Sequence, residues 1–347
     1  MTVHRSSTIQ GIVIKDNLII HNRHATKGYG GIFLDKCNDC LVENNQVVEN
    51  PKHAGIFVSG ANNTVVKNNL VRKAGATSIR YYGCTNSQIV GNTVRDGIGT
   101  HANGITCYLS CENILVAKNQ VYNSNICFTM ENSKDIDLIN NIFVGNGAGY
   151  LLAAWGGMTG TINIINNTIL NSSNHASVYI SGCGENNTVN LVNNILDGGG
   201  CGNRSYNIYV GLAWSQKPRY GWELAEGEID WSEQDIHEIF IDYDNLDLRL
   251  KESGPAVDSG TAAGVREDIL GNQRPNGNGY DIGAYEYYPV NIAQMRAYGQ
   301  KPKEYIPNLY FNRLPGYLIT KQAKVYNLAG HIEERIILKD SGLYLLV

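Results

Sequence analysis

Leu41-Val42-Glu43-Asn44-Asn45-Gln46-Val47-Val48 decides the fold, because the same arrangement of two short apolar runs around an asparagine keeps returning along the chain. The equivalent asparagines are Asn17, Asn45, Asn69, Asn92, Asn119, Asn141, Asn167 and Asn194, at intervals of 28, 24, 23, 27, 22, 26 and 27 residues. Three positions before each stands Ile14, Val42, Val66, Ile89, Val116, Leu138, Ile164 or Leu191, and two positions after each another apolar residue. A period in the twenties made of β-prone runs is the mark of a solenoid. No apolar run keeps a 3.6-residue period, which excludes helical repeats.

Each repeat divides into three short strands. In the second, Gly31-Ile32-Phe33-Leu34 is the first, Leu41-Val42-Glu43 the next and Gln46-Val47-Val48 the last, with Asn45 in the bend between the latter two. An asparagine amide there bonds the coils above and below, so stacked asparagines form a ladder. Asparagine also tolerates the left-handed backbone that such a bend invites.

This pattern resembles the right-handed parallel β-helix of the pectin-lyase type over roughly residues 8–215. The resemblance implies an all-β, single-stranded solenoid. It does not choose among the lyases, hydrolases, epimerases, esterases, tailspikes and adhesins built on that fold. The chain divides into residues 1–215 as the β-helix, 216–288 as C-terminal coils and capping region, and 289–347 as linker and small β tail. Ser253-Gly254-Pro255-Ala256-Val257-Asp258-Ser259-Gly260, Asp268 to Pro275 and Asp281-Ile282-Gly283-Ala284-Tyr285-Glu286-Tyr287 resemble the tail that closes many bacterial secreted β-helix proteins. Its charged residues Asp258, Asp268, Arg274, Asp281 and Glu286 are expected to cap the last core layer. Val325-Tyr326-Asn327-Leu328 and Gly342-Leu343-Tyr344-Leu345 resemble a β-sandwich sorting tail, which implies cell-surface attachment.

Thirty-eight glycines, eight prolines and 17% charged residues describe an ordered, turn-rich β protein. A net charge of −4 gives no footprint for nucleic acid, and no stretch of eighteen apolar residues marks a transmembrane helix. The first residues run into the strand-like Ile9 to Val13 with no leader. The expectation is a fragment of a secreted or cell-surface protein, or a first coil capped by a partner. Cys37, Cys84, Cys111 and Cys183 fall at the same turn, and Cys107 and Cys127 point inward. Stacked free thiols are the expectation, with Cys84 and Cys111 the pair to join if the protein is exported. Cys37-Asn38-Asp39-Cys40 lacks the second pair a zinc site needs.

In the enzymes this pattern resembles, the cleft runs along the first sheet. Alternation places Ile32, Ile56, Ile79, Ile105 and Cys127 inward, and Phe33, Phe57, Arg80, Thr106 and Phe128 outward. Asp35, Ser59, Tyr82, Tyr108 and Met130 follow outward two residues on, and Trp155 and Tyr179 continue the stripe. Outward aromatics suit the C–H faces of sugars, so Phe57, Tyr82, Phe128, Trp155 and Tyr179 are the substrate-binding set for a polysaccharide or oligosaccharide. His24, His53, His101 and His175 lie on the loops that enter this sheet.

His53, Arg80, His101 and Tyr108 are the catalytic set for a lyase acting on a uronic-acid glycan. Arg80, with Lys52 or Lys73, would neutralise the uronate carboxylate. His101 or Tyr108 would take the C5 proton. The outward carboxylates Asp35, Asp96 and Glu131 are scattered, which disfavours a hydrolase, and no Asp-Pro-His-Asp run supports an epimerase. Asp35, Asp39 and Glu43 are the only close oxygen set for Ca2+, and no other cofactor is indicated. The competing class is a glycan-binding or structural β-helix without catalysis.

Overall fold

The computed structural model describes residues 2–3, 8–20, 30–146, 149–172, 177–211, 223–289, 336–339 and 342–345. Three parallel sheets of eight, nine and ten strands run along one axis, each strand hydrogen-bonded to its equivalent one coil away. This is an all-β parallel solenoid of about eight turns. Ile32–Asp35, Leu41–Glu43 and Gln46–Asn50 form one coil, and their partners in the next are Ile56–Ser59, Val65–Lys67 and Leu70–Ala74. The coil repeats because alternate residues of all three strands face one core, where Ile32, Leu34, Val42 and Val47 are at most 1% exposed.

The asparagine ladder is continuous. Asn45 Nδ2 donates to Asn69 Oδ1 at 3.0 Å and to the Ile14 carbonyl at 2.9 Å, and Asn69 repeats this with Asn92 and Val42. The left-handed position is the residue just before each ladder asparagine: Asn44, Asn68, Lys118, Asn140, Asn166 and Asn193 have φ between 53° and 56°. The bend therefore uses αL tolerance one position earlier than expected. Two residues extend the ladder beyond Asn194. Asn207, only 13 residues on, accepts from Asn194 Nδ2 at 3.0 Å. Glu228 then accepts from Asn207 Nδ2 at 2.9 Å and from the Tyr209 hydroxyl at 2.7 Å. A carboxylate accepts without donating, so it ends the ladder.

The first sheet corrects one register. Phe128 pairs with Ile105, and Thr129 with Thr106. Phe128 and Met130 therefore face the core, fully buried, and Phe128 stacks on Phe143 with centroids 6.3 Å apart. Cys127 precedes the strand, and its carbonyl accepts from Ile105 N. A one-residue shift moves every side chain to the other face, and the core takes the larger Phe and Met.

Of the six cysteines expected as stacked free thiols, four are so and two, Cys37 and Cys183, are not. Cys84, Cys107, Cys111 and Cys127 are free and buried. Cys37–Cys40 and Cys183–Cys201 are disulfides. Cys37–Cys40 closes one tight bend from the short strand Cys37–Asn38, whereas Cys183–Cys201 reaches across the strands Asn187–Val192 and Ile195–Leu196.

The outward face of the third sheet changes along the axis. Gln46, Leu70, Arg72, Thr93 and Gln120 give way to Ile142, Val144, Leu170, Ile195 and Ile208, all buried. Ile239, Phe240, Leu248, Leu250, Ala256, Ile269, Ile282 and Ala284 cover them in a second core. The C-terminal segment thus lies as a strap along the side of the solenoid, where its charged residues were expected to cap the last layer. Asn140, Asn166 and Asn193 anchor it by donating to the carbonyls of Glu267, Asp281 and Thr261. Arg274 donates to Glu286 Oε2 at 2.7 Å and to the Gly283 carbonyl at 2.8 Å, with both charged side chains fully buried. Ile336–Lys339 and Gly342–Leu345 pair as an antiparallel hairpin. Residues 325–328 lie outside the described residues.

Candidate glycan-binding face

The outward face of the first sheet carries two rows. The first is Phe33, Phe57, Arg80, Thr106, Thr129, Ala153 and Tyr179, in register from strand to strand. It is not an open groove: Phe33, Thr106, Thr129 and Ala153 are at most 4% exposed. The Thr106 and Thr129 hydroxyls stand 2.7 Å apart, and Thr77 adds a third at 3.4 Å.

The second row is Asp35, Ser59, Tyr82, Tyr108 and Glu131. Trp155 continues it, its N–H donating to the Met130 carbonyl at 3.0 Å. Tyr82 and Trp155 are 42% and 43% exposed, so this row meets solvent.

Arg80 lies between the rows and their chemistry. Its guanidinium carbon is 5.4 Å from the Phe57 ring centre, and its Nε is buried without a hydrogen-bond partner. Burial lowers its pKa, and the neighbouring Tyr108 opposes that shift. Such an Arg is short of an anion to pair with. Lys73 is not its helper, since its Nζ bonds Glu49 at 3.3 Å.

The histidines enter at the other edge of the sheet. His53 is half-buried in a turn where its N–H donates to the Asn50 carbonyl at 3.3 Å. His101 is exposed, and its carbonyl accepts from Asn103 N at 2.8 Å. The four-residue strands separate this edge from Tyr82 and Tyr108 by about 10 Å. Arg80, Tyr82 and Tyr108 are thus brought together, and the histidines flank them at a distance. His24 and His175 lie outside the described residues.

Trp155 and Tyr179 join Tyr150, which sequence reasoning missed. Tyr150 stacks on Tyr179 at 4.6 Å, with Trp155 5.8 Å from Tyr179. The signal for it was an aromatic just before the Leu151-Leu152 run, on the side where the entering loops lie. Glu131 was weighed only as a hydrolase acid. It lies four strand steps from Asp35, about 19 Å, and Asp96 pairs with Arg72 at 3.0 Å on the third sheet. Among these described carboxylates, no two lie on this face at glycosidase spacing.

Of the calcium set, Asp39 accepts from Asn63 at 2.7 Å and Glu43 pairs with Lys67 at 3.1 Å. Among the described residues no group of three or more His, Cys, Asp or Glu side chains is placed to hold a metal ion. A small hollow of about 100 Å³ lies away from this face, beside Arg249, Leu270, Tyr285 and Tyr288.

Residues 3–154 match the family described as Periplasmic copper-binding protein (NosD). The match covers less than half of the chain. No curated protein matches. Among solved structures, pectate lyase Pel9A is similar at 11% identity and a TM-score of 0.42, over 80% of this chain and 88% of that one. The catalytic unit of a GH87 α-1,3-glucanase from Streptomyces thermodiastaticus is similar at 12% identity and a TM-score of 0.35, over 52% of this chain. PfbA, a surface adhesin of Streptococcus pneumoniae, is similar at 15% and 0.27, over 45%. This chain spans less than half the length of the glucanase and the adhesin.

Copper of the kind named for the NosD family takes imidazole and soft sulfur ligands. The described residues do not fit it. The three thiols that cluster, Cys84, Cys107 and Cys111, lie buried in the core, where Cys84 Sγ donates to the Val58 carbonyl and Cys111 Sγ to the Tyr108 carbonyl, each at 3.4 Å. Burial, then the neighbouring Cys111, raises the Cys84 thiol; Cys111, then burial, raises that of Cys107; and Cys111 is itself held below the usual thiol range by Cys107 and Cys84. Among the described residues no helix is long and apolar enough to cross a membrane.

Proposed function

We propose that the outward face of the first sheet binds an acidic polysaccharide or oligosaccharide, and that Arg80 and Tyr108 act on it by β-elimination. The observation that carries this reading is Arg80: a buried, unpartnered Nε beside Phe57 and Tyr108, next to a solvent-facing row of aromatics. Arg80 holds the uronate carboxylate and stabilises the enediolate that forms on it. Tyr108, as its phenolate, takes the C5 proton. The C5–H electrons form the C4=C5 double bond, the C4–O bond breaks, and Tyr82 supplies a proton to the leaving oxygen. The two disulfides favour an oxidising compartment, so we place the protein outside the cytoplasm, secreted or at the cell surface.

One observation favours a second reading. His53 and His101 stand at the far edge of the sheet and tyrosine is the base beside Arg80, which suits a face that binds glycan without cleaving it. The experiment is a panel of uronic-acid polysaccharides, followed by the ultraviolet absorbance of unsaturated uronates, with binding measured in parallel. A rise that Tyr108→Phe abolishes supports elimination. Binding lost in Arg80→Ala with no rise supports the non-catalytic reading. Neither binding nor turnover on any acidic glycan overturns both.

A further inference from the structure

We infer that Tyr150, Trp155 and Tyr179 form a second sugar-stacking station, so that this face takes an extended oligosaccharide and not a single terminal sugar. The inference rests on the acidic-glycan reading for its Arg80 end only. The three rings come from separate pieces of chain: the loop before Leu152–Ala154, the residue after that strand, and the middle of Val178–Ile180. They meet with centroids 4.6, 5.8 and 6.2 Å apart. The core does not call for them, since Leu152, Ala154, Val178 and Ile180 already fill it from the inward side of the same strands. Yet Trp155 remains 43% exposed.

An indole held against two tyrosines is ordered before any ligand arrives. Stacking a pyranose on it therefore costs little side-chain entropy. Indole N–H and phenol O–H groups at the rim suit sugar hydroxyls.

Spacing sets the ligand. From the Arg80 strand to the strand before Trp155 is three steps, and to Tyr179 four, or about 14 and 19 Å at ~4.8 Å per step. The first row between them is closed, with Thr106, Thr129 and Ala153 buried, so the chain lies along the second row, over the half-buried Tyr108 and Glu131. With a pyranose about as long as one strand step, a chain reaching both stations has roughly four or five sugars.

The test is calorimetric titration with acidic oligosaccharides of two to eight sugars, using wild type, Trp155→Ala, Tyr179→Ala and Arg80→Ala, with circular dichroism to confirm folding. Expected is a steep gain in wild-type affinity at four to five sugars, with Trp155→Ala and Tyr179→Ala losing that gain by tenfold or more. Length-independent binding, or tight binding of long chains by Trp155→Ala, overturns the second station and leaves the Arg80 reading standing. If no acidic saccharide binds, the Arg80 reading fails and a neutral series judges the station. Neutral binding lost in Trp155→Ala upholds it, and its absence overturns it.

Discussion

The guanidinium carbon of Arg80 stands 5.4 Å from the centre of the Phe57 ring, one strand away in the same outward row. The ring holds the planar group by its face and leaves the edge N–H groups for an anion. Arg80→Ala is expected to weaken binding of acidic oligosaccharides at least tenfold, about 1.4 kcal/mol. Arg80→Lys should weaken it nearly as much, because an ammonium neither stacks nor forms the paired N–H fork. Titration calorimetry measures both, and an unchanged Arg80→Lys affinity would show that charge alone matters.

Glu131 sits in the accessible row between Tyr108 and Trp155. A carboxylate there repels a second uronate on the same glycan. Glu131→Gln should therefore raise affinity for contiguous polyuronates several-fold, most at low salt, and leave chains with neutral units opposite it unchanged. The measurement is the same titration at two ionic strengths.

The ladder should dominate stability. Asn119 Oδ1 accepts from Asn92 N and Nδ2, both at 3.0 Å, and its Nδ2 donates to the Ile89 carbonyl at 2.8 Å. Asn119→Ala leaves buried partners unsatisfied and should cost about 2–4 kcal/mol. The exposed Asn203, which donates to Asn190 Oδ1 at 3.1 Å and has no left-handed backbone, should cost under about 0.5 kcal/mol on the same change. Urea unfolding compares them, and equal losses would contradict the ladder's role.

Asp197 follows the strand Ile195–Leu196, near enough to Tyr243 for its charge to act there, and burial pushes its carboxyl up to about 6 against hydrogen bonds from the Ser172 region. Its folded pKa exceeds the unfolded value near ~3.9. The folded state therefore binds more protons between those values, and stability falls as pH rises from about 4 through 6. The loss approaches roughly 3 kcal/mol above pH 6. Melting curves across this window should show the slope in wild type and a flatter one in Asp197→Asn.

Denatured, unreduced protein should show four titratable thiols, those of Cys84, Cys107, Cys111 and Cys127, by thiol labelling and mass spectrometry. Removing Cys183–Cys201, which closes a separation of 18 residues, should cost about 3 kcal/mol. The short Cys37–Cys40 loop should cost less.

Which parts of this were legible in the residues follows from the range of the forces involved. Asn45, with Val42 before it and Val47 after it, announces its bend within six residues, because strand, bend and strand are local and the ladder repeats them. The same holds for Arg80, Tyr82 and Tyr108, which follow from counting by twos from Ile79 and Ile105. The count failed at Phe128. From Asn119 the next first strand starts 9 positions on, against 11, 10 and 13 from Asn45, Asn69 and Asn92, and only competition for core volume showed which of Cys127 and Phe128 starts it.

The coil, its ladder and the apolar lining were therefore determined by sequence alone, since each rests on contacts that recur at one spacing. Three features were decided only in three dimensions. Cys183 met Cys201 across two intervening strands, the strap chose the flank of Ile142 and Ile195 over the end of the solenoid, and Tyr150 came to rest on Tyr179. Each joins segments with no shared period, so its partner is set by which surfaces remain uncovered once the coils have stacked.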